Sequence, residues 1–301
     1  MAASSTSSGF KYASKLSNQR VLILGGTSGI GFAVAEASLE AGLLVTISSS
    51  SSSKLSAALD RLRSSPAYVP SNLFAAPATT SSSSSSQPSL ASGGIPRLTG
   101  FTCDLSDPST VEQSLKHLLD QSTLDGRHKF DHVVFTAGDA LSLNPISQIT
   151  PAGFEKAAAV RFTAPLILAK LLALEDKYFS HSVFSSITFT GGTNTEKPSP
   201  GWSVVAAVGG ALEGLVRGLA VDLKPTRVNL VSPGAVQTEL FESFKEKGEQ
   251  SLERVLEGFK KRTLTGTVGR PEDVAEAYLY FMRDRFVTGR VLGTDGGRVL
   301  V

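Results

Sequence analysis

Cysteine is nearly absent from this 301-residue chain, with Cys103 the only one. That excludes an intrachain disulfide framework and fits a reducing compartment, so a cytoplasmic location is expected. Charge of either sign is not in excess: 29 Lys plus Arg stand against 27 Asp plus Glu. No strong field therefore recruits nucleic acid or acidic lipid. No apolar run is read as long enough to span a membrane. The first 18 residues are rich in Ser and Ala and have neither arginine nor a long apolar segment. They read as a disordered, solvated tail and support neither a secretory signal nor a transit peptide. No metal site is expected.

What is present is enough apolar residue, 41%, to fill one large α/β core, in a chain short for two domains. The organising stretch is Leu24-Gly25-Gly26-Thr27-Ser28-Gly29-Ile30-Gly31. Val21 to Leu24 before it read as a buried parallel strand, and Phe32 to Ala41 after it carry an apolar stripe at helical spacing. Strand, glycine turn and helix form the first crossover of a doubly wound fold. Gly25 permits a sharp turn, Gly29 a close approach of a phosphate, and Gly31 close packing of helix on strand. The helix N-terminus then offers free N–H groups to a pyrophosphate. The strand and helix on either side separate this pattern from a glycine turn that binds nothing.

Leu43 to Ile47 form a second strand, ending in the run Ser48 to Ser53 and Lys54. An acid at this strand end would hold the ribose 2′-hydroxyl of NAD. None stands here. Ser48, Ser49 and Ser50, with Lys54, suit a 2′-phosphate instead; the alternative is a polar linker and helix cap. After a helix over Leu55 to Leu62, residues 64–96 turn to Ser, Pro, Thr and Ala and read as a disordered surface insertion. A third strand, Leu98 to Thr102, leads to Asp104 and Leu105. Asp104 is placed to accept from an adenine amino group or to cap the next helix, for which Asp107 before Pro108 is the better cap. Val133 to Phe135 form the fourth strand, followed by Thr136-Ala137-Gly138-Asp139, small residues that leave room for a ribose. Phe154 to Leu174 read as one long helix kinked at Pro165. Val183 to Thr190 read as the fifth strand, followed by Gly191-Gly192 and a polar loop to Trp202. Next comes a helix of very small residues, Ala206 to Gly218, which implies close packing against the sheet or a second subunit. Arg227 to Val231 form a sixth strand, Phe241 to Arg262 an amphipathic helical lid, Pro271 starts the last helix, and Thr288 to Gly297 hold the seventh strand.

In this order the motifs resemble the short-chain dehydrogenase/reductase family, from about Arg20 to Gly297. Its carriers are Gly25 to Gly31, Asp104-Leu105, Thr136-Ala137-Gly138, Arg227-Val228-Asn229, Pro233-Gly234 with Thr238, Gly269-Arg270-Pro271 and Asp295-Gly296-Gly297. The resemblance implies one Rossmann-type domain over residues 19–301 with a seven-stranded parallel sheet. It also implies a nicotinamide cofactor, which the serine run makes NADP, and a homodimer or homotetramer. It implies that Thr27, Ser28 and Ile30 hold the phosphates, Asp104 and Leu105 the adenine, and Val236 and Thr238 the nicotinamide amide. Gly25, Gly31, Ser48, Ser49, Ser50, Gly138 and Arg161 complete the expected cofactor site.

The family's catalytic Tyr and Lys do not carry over. With Ala211 to Leu215 setting the register, their positions are Val205 and Gly209, the serine position falls near Gly192, and the family's Asn position is Arg161. This pattern is similar to a divergent subgroup in fungal natural-product pathways. Some members reduce with NADPH, and some use the pocket for cyclisation. The expected activity is reduction of a carbonyl or iminium of a small secondary metabolite. The alternative is an NADP-binding protein without redox turnover: a cyclase, sensor or partner subunit. Candidate catalytic residues are Arg161, as an oxyanion stabiliser or else a salt-bridging arginine, and Glu196, or else a solvated loop acid. Asp139, Thr193 and Trp202 share the neighbourhood.

Overall fold

The computed structural model describes residues 11–68, 95–141, 143–174, 176–239 and 252–301. Seven parallel strands form one sheet: β1 (Arg20–Leu24), β2 (Leu44–Ser49), β3 (Leu98–Thr102), β4 (His132–Phe135), β5 (Ser186–Thr190), β6 (Arg227–Pro233) and β7 (Val291–Thr294). Their order is β3-β2-β1-β4-β5-β6-β7. Alternation along each strand feeds two cores. Leu22 and Leu24 of β1 pack on the face covered by α3 (Val111–Thr123), α5 (Ala164–Leu174) and α6 (Ser203–Asp222). Val21 and Ile23 pack on the other, under α1 (Gly29–Glu40), α2 (Ser52–Ser64) and α8 (Pro271–Arg283). Two shorter helices, α4 (Pro151–Ala158) and α7 (Leu252–Lys260), complete the set among the described residues. The chain winds outward in opposite directions from β1 and β4. That reversal opens a crevice at the carboxyl ends of these two strands, where doubly wound folds take their ligands.

Several expectations are corrected. Part of the expected tail is ordered: residues 11–18 form turns, Leu16 is buried, and Asn18 N–H donates to the Gly42 carbonyl, while residues 1–10 lie outside the described residues. The insertion expected at 64–96 is ordered at its start, where Ala67 is buried and the Ser65 hydroxyl donates to Glu36; residues 69–94 lie outside the described residues. Asp107 does not cap α3. Its carboxylate accepts from the N–H and hydroxyl of Ser109, organising the turn before the helix, and the N-cap position is Thr110. β5 begins at Ser186, because residues 182–185 form a bend with Val183 and Phe184 exposed. The helix over 154–174 is not simply kinked at Pro165. It passes through a π-helical turn, Ala159–Thr163, in which the Ala164 N–H reaches back to the Ala159 carbonyl. Pro165 has no N–H for the Arg161 carbonyl, so the turn widens just ahead of it. By length and composition alone residues 151–174 and α6 are apolar enough to cross a membrane, contrary to expectation; here both belong to the layer over the sheet. Of the lid, residues 240–251 lie outside the described residues.

Three buried arginines sit at the amino ends of strands, and each reaches the last turn of a helix. Arg20 donates to the carbonyls of Ser122, in the last turn of α3, and of His128 beyond it. Arg97 donates to Leu39 in α1. Arg227 donates to Phe281 and Met282 in α8, and to Asp284 and Val183. Helix C-termini leave carbonyls without intrahelical partners and carry the negative end of the dipole, so a guanidinium both caps them and is neutralised by them.

His132 is fully buried, with Nδ1 2.8 Å from Ser186 Oγ and Nε2 2.9 Å from Gln19 Oε1. Burial, reinforced by the Arg227 charge, pushes its pKa from 6.5 down to about 3. The folded chain therefore keeps His132 neutral while the unfolded chain protonates it. Its contribution is complete above pH 6.5 and is lost as pH falls toward 3, at a slope approaching ~1.4 kcal/mol per pH unit. Melting temperature should fall between pH 7 and 5, and less steeply in His132→Gln. Identical profiles for the two proteins would refute this account.

Candidate active site

A cavity of about 680 Å³ opens along the carboxyl ends of the strands. Its floor is the β1–α1 turn. Gly25 has φ +85°, and a Cβ on it would stand 2.6 Å from the Ala137 nitrogen; Gly29 has φ +50°. A Cβ on Gly31 would collide with the Gly25 carbonyl, so only glycine lets α1 sit this close to β1. The Gly25 and Gly26 N–H groups donate to the Ser48 carbonyl, which ties the turn to the end of β2. Thr27, Ser28, Ile30 and the start of α1 line the floor. An anion placed here would meet free N–H groups and the positive end of the helix dipole, the arrangement that suits a dinucleotide's phosphates.

At the β2 end, Ser48, Ser49, Ser50 and Lys54 all line the cavity. Ser49 Oγ lies 3.3 Å from Thr27 Oγ1 and accepts from the Ser51 N–H, while the Ser51 hydroxyl accepts from the Lys54 N–H and caps α2. Hydroxyls, an ammonium and a helix N-terminus meet here, groups that suit a phosphate. Asp104 and Leu105 follow on the wall. Asp104 accepts from the Ser106 N–H at 3.0 Å, and that bond holds its pKa below the usual carboxylate range. Gly138, Val236 and Thr238 are also in the wall. The structure thus brings every expected cofactor residue to one cavity.

Arg161 stands on the π-helical turn and faces this cavity. Its Nε donates to Asp139 Oδ1 at 3.1 Å, and one terminal nitrogen donates to the Asp139 carbonyl. Burial lowers its pKa below the ordinary guanidinium value, and the Asp139 charge opposes that shift. A Cβ on Gly138 would lie 3.0 Å from the guanidinium, so Gly138 leaves the space that Arg161 occupies. Asp139 fixes one edge of the fork and the remaining donors stay available to the cavity.

On α6, Val205, Val208, Gly209 and Leu212 form an apolar wall. A Cβ on Gly209 would collide with the Thr195 hydroxyl, so the space a lysine would need is filled by Thr195. No tyrosine lines the cavity among the described residues. Thr190, which also lines it, is engaged elsewhere: its hydroxyl donates to the Phe135 carbonyl and lies 2.7 Å from the buried Tyr278 hydroxyl. Thr193 is buried in the wall, and Trp202 lines the cavity. Glu196 is corrected: it is exposed, is not in the cavity wall, and its charge acts on Glu213 of α6, whose pKa burial and Glu196 raise. The sequence reading missed Thr195, Phe259, Arg262 and Arg298, which also line the cavity.

A family profile described as an SDR-like Rossmann domain matches residues 12–86 and 78–301. The chain belongs to the short-chain dehydrogenase/reductase family, whose members bind nicotinamide cofactors. It is 41% identical over 285 residues to the short-chain dehydrogenase/reductase malC of Malbranchea aurantiaca, covering 95% of this chain and 96% of that one. It is 40% identical over 291 residues to fsr5 of Gibberella fujikuroi, covering 96% and 98%. The solved structure of the Malbranchea protein, described as MalC Reductase/Diels-Alderase, superposes with a TM-score of 0.82 at 40% identity over 97% of this chain and 100% of that one. A Burkholderia cenocepacia short chain dehydrogenase in complex with NADP shares the fold, with a TM-score of 0.70 at 22% identity over 94% and 99%.

Proposed function

We propose that the chain is an NADPH-dependent reductase that acts on a carbonyl or iminium of a small secondary metabolite. The observation that carries this reading is that the expected cofactor residues line one cavity, facing a wall with no proton-transfer pair among the described residues. Val205 and Gly209 stand on that wall, and Thr195 fills the space above Gly209. When bound, NADPH supplies a hydride. The residues of the chain bind, orient and stabilise charge. Gly25 to Gly31 receive the phosphates, Ser49, Ser50 and Lys54 the 2′-phosphate, and Val236 and Thr238 flank the carboxamide. An apolar wall excludes water from the substrate. An iminium needs no proton, because hydride addition alone gives the neutral amine. A carbonyl becomes an alkoxide, which Arg161 is placed to hold until solvent protonates it.

The experiment is NADPH consumption with a panel of cyclic iminium salts and 1,2-dicarbonyls. Turnover on some member is expected. NADPH binding with no consumption across the panel would overturn this reading. It would favour a second one, cyclisation in a cofactor-bound pocket without redox turnover, which the description of MalC as a reductase/Diels-Alderase supports.

The Ser48 to Ser50 and Lys54 arrangement predicts cofactor preference. Charge-assisted hydrogen bonds contribute roughly 1.5 to 3 kcal/mol, so NADPH should bind about ten-fold or more tightly than NADH. Lys54→Ala should narrow the gap. Equal dissociation constants by fluorescence titration would refute the 2′-phosphate site.

Self-association belongs to the same proposal. Gly214 and Gly218 of α6 have open space above them, and Val221 of the same helix is exposed. A second copy seated on α6 would cover this face as a homodimer or homotetramer. Sedimentation should show an oligomer that Gly214→Arg dissociates; a monomeric parent would contradict it. A cytoplasmic location is proposed on the single Cys103, buried with its thiol pKa pushed up to about 12.

A further inference from the structure

The cavity extends beyond the cofactor cradle into the half of the sheet formed by β5, β6 and β7. Asn194, Trp202, Phe259, Arg262 and Arg298 line it there. Arg298 lies in the C-terminal 3₁₀ turn Arg298–Leu300 and is only 8% exposed. One terminal nitrogen donates to the Lys197 carbonyl at 3.1 Å, the other to Asn194 Oδ1 at 3.2 Å. Those contacts use two of the five guanidinium donors. No carboxylate of a described residue comes within ion-pair distance of it. Asp295, whose charge acts on it, is engaged with backbone: Oδ1 accepts from the Gly297 N–H and Oδ2 from the Val299 N–H.

This differs from the other buried arginines. Arg20, Arg97 and Arg227 each end on carbonyls of a helix C-terminus, at the amino ends of the strands. Arg298 has no helix C-terminus and sits at the carboxyl, ligand-binding end. Its neighbour in the wall is a second cation: burial lowers the Arg298 pKa first, the Arg262 charge lowers it further, and Asp295 opposes. Two guanidinium groups facing one cavity, one of them desolvated, cost free energy that a bound anion recovers. The guanidinium fork suits a carboxylate bidentately.

We propose that this end of the cavity is an anion subsite formed by Arg298, Asn194 and Arg262, and that the substrate carries a carboxylate which docks there. The inference rests on the cavity being the substrate site of the proposed reductase, and it adds the substrate's charge. A carboxylate held here anchors the molecule at the β5–β7 end, leaving its reducible carbon between Arg161 and the nicotinamide position.

The test uses the NADP-saturated protein and Trp202, the only tryptophan in the chain and part of the cavity wall. Quenching of its fluorescence is titrated with 3-phenylpropionate and with the neutral 3-phenylpropionamide. The acid should bind about ten-fold or more tightly than the amide. Arg298→Met should abolish that preference and Arg298→Lys should keep part of it. If Arg298→Met does not fold by circular dichroism, Arg262→Gln, at an exposed residue, decides the question. It should weaken the acid a few-fold and leave the amide unchanged. Equal binding of acid and amide, binding of neither, a preference that survives Arg298→Met, or acid binding that Arg262→Gln leaves at the parental level overturns the proposal. Separate titration with NADPH keeps the two readings apart. Loss of cofactor binding defeats the reductase reading, whereas cofactor binding without acid preference defeats only this one.

Discussion

Arg161→Met is expected to reduce turnover about a hundred- to a thousand-fold on a confirmed carbonyl substrate, while NADPH affinity stays within a few-fold. Losing one donor from an oxyanion site costs roughly 3 to 4 kcal/mol. Arg161 is the guanidinium that lines the cavity beside Gly138, and its Nε and one terminal nitrogen are already held by Asp139. That pairing preorganises the fork and leaves its other donors for the substrate. It also raises a competing account, since an arginine tied to an acid can be structural. Asp139→Asn separates the two. It keeps the carbonyl acceptor and the geometry but loses the charge, so a positioning role predicts a smaller rate loss than Arg161→Met, with unchanged melting temperature. An iminium substrate should be less sensitive to Arg161→Met than a carbonyl, because no oxyanion develops. Folded Arg161→Met with parental turnover on a carbonyl would make Arg161 structural. Val205→Tyr with Gly209→Lys should not improve catalysis, because the lysine would displace Thr195.

The second large effect is on stability. Arg227→Met should cost about 3 to 5 kcal/mol, the range for breaking a buried charged arrangement by removing one partner. The guanidinium is buried at the start of β6, and desolvation brings its pKa down to about 10, with Asp284 opposing. Its loss leaves the carbonyls of Phe281, Met282, Asp284 and Val183 without that donor. The last turn of α8 should therefore fray, and β6 should loosen against it. Denaturant unfolding measures the cost. A loss below about 1 kcal/mol would mean that water replaces the guanidinium at those carbonyls.

The cofactor half of the site was legible because its chemistry is local. Gly25, Gly29 and Gly31 follow a four-residue apolar strand and open an apolar helix, and the serines with Lys54 sit at the next strand end. One strand, one turn and one helix start bring those groups together wherever the rest of the chain goes. Arg161 was legible only through register against the family, and its partner Asp139 only as a neighbour. The π-helical turn that places it arises from Pro165, which from sequence reads as a kink. Glu196 was misplaced because a loop acid's direction depends on how residues 193–200 fold: the turn there points Thr193 and Asn194 into the wall and Glu196 away.

The amino-acid sequence by itself determined the doubly wound class, the seven strands and the glycine turn between β1 and α1. Each rests on periodicity or on glycines whose backbone conformation and missing Cβ act within a few residues. Only the tertiary structure decided which arginines are caps and which face the ligand. Arg227 and Arg298 are both buried arginines near strand ends, and their flanking residues do not say what each guanidinium meets. The difference lies in what meets each guanidinium: the carbonyls of α8, some 55 residues along the chain, for Arg227, and the Asn194–Lys197 loop, over a hundred residues away, for Arg298. Long-range contacts of that kind are set by the packing of the whole sheet, so no local pattern encodes them.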